Sequence, residues 1–132
     1  MRTREDIEAY LLRSNYPHRE IAEATWLVGD PSGSRENIVV RTDDALCIFR
    51  LKVLDLASID PAKTADFYRT LLELNATDMV HGAYGISDGM VLLVASHLLE
   101  NLDYSEFTAV VEELVLAMAN HHEKLGRFRK VS

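Results

Sequence analysis

Five histidines, one cysteine and twenty-one carboxylates are the side chains here that could bind a metal, move a proton or attack a substrate. Their spacing argues against each use. Chelation from a helix needs two ligands about one turn apart, and His121 and His122 are adjacent, so on a helix they point about 100° apart. No pair of histidines stands at i, i+4. His81 and His97 are expected to approach each other across a hairpin, but two imidazoles without a carboxylate are too few for a zinc site. His121 has Ala117 and Leu125 four residues to either side, the setting of a histidine at the border of a core. Cys47 lies on the apolar side of a strand-like run and reads as a small core residue. Gly29-Asp30-Pro31-Ser32-Gly33-Ser34 looks superficially like a phosphate loop, yet it lacks the lysine and the following helix and reads as a hairpin turn. No nucleophile elbow or H-E-x-x-H motif is present, and Asp43, Asp44, Asp55 and Asp60 read as turn and cap residues. The expectation is no catalytic residue, no metal, no cofactor and therefore no enzyme.

The elements that would position these residues follow from periodicity. Residues 3–15 read as a helix, with Thr3 and Asp6 resembling a capping box and Ile7, Tyr10 and Leu11 on one face. Residues 19–28, 36–42 and 45–54 read as three strands of an antiparallel meander, with Trp26 on one face of the first beside Ala22, Ala24 and Val28. Residues 60–75 read as a helix, with Asp60 as cap, Pro61 in the first turn and Asn75 as a left-handed C-cap. Met79–Ile86 and Met90–His97 read as a hairpin turning at Ser87-Asp88-Gly89. A last helix runs from about Ser105 to Lys124, followed by a basic tail expected to fray. The order is α-β-β-β-α-β-β-α, an α+β fold in which helices cover an antiparallel sheet of about five strands.

Composition is consistent with that plan. A chain of 132 residues suits one domain over 1–132. Its net charge of −7 argues against nucleic acid and against an anionic membrane surface as partners, and hints weakly at basic ones. The longest apolar run, about eight residues from Met90, is far short of the roughly 20 needed to span a bilayer. The charged N-terminal stretch does not read as a secretory signal, and a lone cysteine forms no internal disulfide, so the cytoplasm is the expected compartment.

Several stretches, taken in order, carry a resemblance: Trp26; Ile38-Val39-Val40; Leu71-Leu72-Glu73-Leu74-Asn75; Gly82-Ala83-Tyr84-Gly85-Ile86 with Asp88-Gly89; Leu102-Asp103; and Leu125-Gly126-Arg127-Phe128. The chain resembles the YbjN-type family of sensory transduction regulators, relatives of the CesT (Tir chaperone) group with the type III secretion chaperone-like fold. That resemblance implies a non-enzymatic homodimer that binds polypeptides or acts in regulation. It implies no catalytic residue.

Phe67, Leu71 and Leu74, with Tyr68 and Leu72, sweep an arc of roughly 160°, wider than the ~100° stripe that one packed face needs. Phe67, Tyr68, Leu71 and Leu74 are therefore the expected dimer or partner contacts, and Trp26, Asn75, Gly82, Gly85 and Gly89 the expected structural positions. Met90–Ala95 and Ile38–Val40 are apolar on both faces of their strands, so the second face of the sheet is expected to be covered, preferentially by a helix. A client segment would lie across helix and sheet-edge surfaces, with main-chain hydrogen bonds at an exposed strand. The alternative is a regulator holding a small molecule between helix and sheet.

Overall fold

The computed structural model describes residues 2–29 and 36–131. The expected turn at Gly29–Ser34 falls mostly outside them. Three helices, α1 (Arg4–Ser14), α2 (Thr64–Thr77) and α3 (Tyr104–Gly126), accompany six strands: β1 (His18–Ala22), β2 (Thr25–Gly29), β3 (Glu36–Asp43), β4 (Leu46–Asp55), β5 (Ala83–Ser87) and β6 (Met90–Leu98). The strands form one fully antiparallel sheet in the order β1-β2-β3-β4-β6-β5.

The sixth strand comes from the stretch 19–28, expected to be one strand. Ala24 takes a left-handed φ of 50°, and the chain reverses there. No Gly, Pro or Asn marks this turn. It is held instead by Glu20, whose carboxylate accepts from the Ala24 N–H at 3.2 Å and from the Arg4 guanidinium at 2.7 Å. At the other hairpin Asp88 and Gly89 both have positive φ, 51° and 74°, as a tight Asp-Gly turn requires.

One face of the sheet makes the core. Trp26, Val28, Ile38, Val40, Phe49, Leu51 and Leu93 all point to it and are buried. α3 crosses this face with Phe107 against Phe49, ring centroids 5.6 Å apart. α1 contributes Ile7 and Leu11 and sets Tyr10 between Tyr104 and Phe107. α2 contributes Phe67, Leu71 and Leu74. Burying each such side chain contributes about 1.5–3 kcal/mol.

Four expectations are corrected. The middle helix begins with a 3-10 turn over Pro61–Lys63, capped by Asp60 through the Ala62 N–H at 3.0 Å, and it runs past Asn75 to Thr77. Asn75 is therefore no C-cap, because its amide is used sideways, as described below. Strand β5 starts at Ala83 rather than Met79, since the N–H groups of the preceding residues bond to α3 instead of a ladder. The basic tail is docked. Phe128 packs on Phe67 at 5.6 Å, its carbonyl accepts from the Asp60 N–H at 2.9 Å, and the Lys130 N–H donates to the Ser58 carbonyl. Finally, no helix covers the second sheet face among the described residues, since all three contribute to the one core. None of the described helices is long and apolar enough to cross a membrane.

Candidate functional site

Polar side chains converge at one end of the molecule, where α2 ends, β5 begins and α3 passes. The N–H groups of Val80, His81 and Gly82 point inward and must be satisfied. Glu113 of α3 does this: its carboxylate accepts from Gly82 at 2.8 Å, from His81 at 2.9 and 3.0 Å and from Val80 at 3.1 Å, and it meets His81 Nδ1 at 2.9 Å. Burial pushes the Glu113 carboxyl up, but the N–H groups of Gly82, His81 and Val80, with the His81 ring, outweigh it and hold it below the ordinary glutamate range. Gly82 itself leaves no room for a side chain: a Cβ would stand 3.1 Å from Leu114 Cδ2 and 3.2 Å from the Val94 carbonyl.

A second chain of bonds lies alongside. Tyr84 Oη is 2.7 Å from His121 Nδ1, and His121 Nε2 is 2.8 Å from an Asp78 carboxylate oxygen. A carboxylate can only accept, so Nε2 carries a proton, and in the neutral ring Nδ1 accepts from the phenol. The bond from His121 holds the Asp78 carboxyl below its usual range, while burial pushes the Tyr84 phenol up, so it stays a neutral donor. His121 is only 5% exposed, and with both ring nitrogens engaged it ties the end of α2 to β5 and α3. Outside it lies an open groove of about 480 Å³ between residues 78–81 and α3, walled by Met79, Val80 and Leu116.

Asn75 supplies the third tie. Its Oδ1 accepts from the Tyr84 N–H at 2.6 Å and its Nδ2 donates to the Tyr84 carbonyl at 3.2 Å. The amide thus occupies the outward backbone groups of edge strand β5 as a neighbouring strand would. Addition of a client strand at Tyr84 is blocked. Replacing Asn75 by Ala is expected to destabilise by about 1–3 kcal/mol, for two lost bonds and an uncovered edge. Thermal unfolding checks the loss, and an unchanged midpoint would show that the edge needs no cap.

The predicted contact residues separate. Phe67, Leu71 and Leu74 lie inside the chain's own core, so they are not surface. Tyr68 is 37% exposed and Leu72 69% exposed, and these form the apolar part of the outward face of α2. Trp26 is buried under the Arg4 guanidinium, 6.0 Å from its ring centre. Gly85 faces open space, so packing within the chain does not demand glycine there. Cys47 is buried, and burial alone pushes its thiol up to about 12. His81 and His97 do not meet but pair separately with Glu113 and Glu106. No three His, Cys, Asp or Glu side chains come together as a metal-binding group among the described residues.

The second sheet face, opposite the core, carries apolar side chains that are half-buried at Leu27, Val39, Ile48 and Val94, buried at Leu92 and exposed at Leu98. Leu27, Val39, Ile48, Val94 and Leu98 project from it at alternate positions, interleaved with Arg41, Arg50 and Lys52. In the register, Leu27 faces Val39, Val39 faces Arg50, and Arg50 faces Val94.

Comparison with known proteins gives a consistent fold. The CesT_Tir_1 family model matches residues 1–131. Similar solved structures include YbjN from E. coli, with a TM-score of 0.63 and 11% identity over 91% of each chain. The ExsC–ExsE complex gives a TM-score of 0.55 and 12% identity over 100% of both chains. The Yersinia pestis type III secretion chaperone SycH, solved with a stable fragment of YscM2, gives 0.56 and 12%, covering 89% of this chain and 98% of that one. No curated protein matches this sequence.

Proposed function

The chain belongs to the CesT_Tir_1 family, and from that premise we propose that it is a non-enzymatic, chaperone-like protein-binding module that acts as a homodimer in the cytoplasm. The observation that carries this reading is the helix-free second face of the sheet, where apolar side chains alternate with basic ones. An antiparallel sheet whose second face meets only water ordinarily alternates cleanly to polar residues. Here that face keeps Leu27, Val39, Ile48, Val94 and Leu98. Apolar area of this kind, half-buried at four of these positions and exposed at Leu98, serves contact with another polypeptide. The solved relatives add support, since two of them were crystallised with a bound protein.

The dimer contact is assigned to the outward face of α2, through Tyr68 and Leu72. This keeps the helix expected from the sequence and replaces the inward residues by outward ones. Light scattering across a dilution series is expected to give twice the monomer mass, and Leu72→Asp to give monomer with an unchanged unfolding midpoint. A native protein that is monomeric at all concentrations would remove the dimer from the proposal.

Client contact is tested separately. A photo-crosslinking residue at Ile48, on the sheet face, is expected to capture polypeptides in living cells. The same residue at Glu123, exposed on the helical side, is not. Equal capture from both positions, or none, would count against the sheet face as a client surface. For the alternative of a ligand held between helix and sheet, the space beside Val53, Tyr84 and Met118 is about 20 Å³, roughly one water molecule, so a larger ligand there would have to displace these side chains.

A further inference from the structure

We infer that the open sheet face selects an acidic amphipathic segment, one whose apolar side chains alternate with carboxylates. This rests on the proposed role of that face as the client surface and names the chemistry of the client. The net charge of −7 points the other way, toward basic partners, but net charge is a sum over the whole chain and not a property of this face. Charge is distributed unevenly. The described strand residues of the second face carry Arg19, Arg41, Arg50 and Lys52 against Asp43 and Asp55. The two acids are already engaged, Asp43 with Arg41 at 3.0 Å and Asp55 with Lys52 at 3.0 Å.

Arg50 remains. It stands on the central strand β4, directly between Val39 of β3 and Val94 of β6, and it makes no ion pair or hydrogen bond among the described residues. A guanidinium so flanked offers a fork of donors in an apolar setting, and a carboxylate answers it with two parallel bonds. Arg50 is exposed, and a bound segment that covers Val39 and Val94 would shut water out, which strengthens such a pair and penalises an unpaired or like charge. A segment that lays apolar side chains over Val39, Ile48 and Val94 therefore needs an acid opposite Arg50. A second copy of this face, related by a two-fold axis through its centre, would set Arg50 against Arg50, so the occupant is a different chain.

The test uses the full protein and two fluorescent peptides of one length, one alternating Leu with Glu and one alternating Leu with Lys, followed by anisotropy at low and moderate salt. The Leu/Glu peptide is expected to bind at least about tenfold tighter. Arg50→Glu is expected to abolish that preference without moving the unfolding midpoint, because Arg50 makes no contact that the fold needs. Val94→Ser is expected to weaken binding of the Leu/Glu peptide. Preference for the Leu/Lys peptide, a preference unchanged in Arg50→Glu, or no binding of either peptide would overturn the inference. Hydrogen exchange distinguishes the two readings. A basic peptide that protects β3, β4 and β6 would leave the client surface standing and remove only its acidic selectivity, whereas protection confined to the helical side would remove both.

Discussion

Phe67→Ala is expected to lower the free energy of unfolding by about 3–5 kcal/mol, the usual cost of deleting a buried aromatic ring. The ring has no exposed surface and meets Phe128 at 5.6 Å, so its loss opens a cavity between α2 and the docked tail. The tail should loosen with it, because the Asp60 N–H bond to the Phe128 carbonyl depends on Phe128 staying seated. Urea unfolding measures the first effect, and amide exchange at Asp60 and Lys130 the second. The variant also separates folding from assembly. If Phe67 formed a subunit contact instead, Phe67→Ala would change the mass and spare the midpoint, as Leu72→Asp is expected to do. A midpoint within about 1 kcal/mol of the parent would reject the core assignment.

The second large effect is expected at Glu113. Glu113→Ala leaves the N–H groups of Val80, His81 and Gly82 without their acceptor. Hydrogen bonds to a charged group are worth about 1.5–3 kcal/mol each in buried settings. Val80 and His81 are exposed and water can replace part of the loss, so about 2–3 kcal/mol in total is expected. Glu113→Gln keeps the length and one acceptor oxygen and should cost about half as much.

The same carboxylate sets a pH dependence. Its folded pKa lies below the ordinary value, as do those of Asp78, bonded to His121, and Asp103, which caps α3 through the Glu106 N–H. A depressed carboxyl gives stability that is fully present above the unfolded pKa, about 4, and is lost as pH falls through the folded value. Stability should therefore be flat near neutrality and fall below about pH 4. In Glu113→Gln the fall should be shallower. An equally steep acid transition in that variant would place the protonation elsewhere.

How much of this was legible in the sequence depends on the range of the interaction. Apolar periodicity located every helix, and local chemistry located Asp60 and the Asp88-Gly89 turn, because caps and tight turns are decided within four residues. The Glu23-Ala24 reversal was missed because its holder, Glu20, is a strand residue whose role appears only once Arg4 of α1 is beside it. Asn75 read as a helix end by residue type, and only its distance from Tyr84 turned it into an edge cap. Glu113 left one faint signal, an acid three residues after Val110 and four before Ala117, at the border of the buried face of α3.

The candidate surfaces divide the same way. By itself the sequence determined that the middle helix is too apolar for one narrow stripe and that β3 and β6 are apolar on both faces. Those are properties of order along the chain. Which part of the helix faces inward, and that all three helices crowd onto one side of the sheet, were decided only by tertiary structure. A helix can cover either face of a strand at equal local cost, and the choice falls to the face where Trp26, Phe49 and Leu93 bury the most area together. The tertiary arrangement that sets the exposed Arg50 between half-buried Val39 and Val94 is the consequence of that choice.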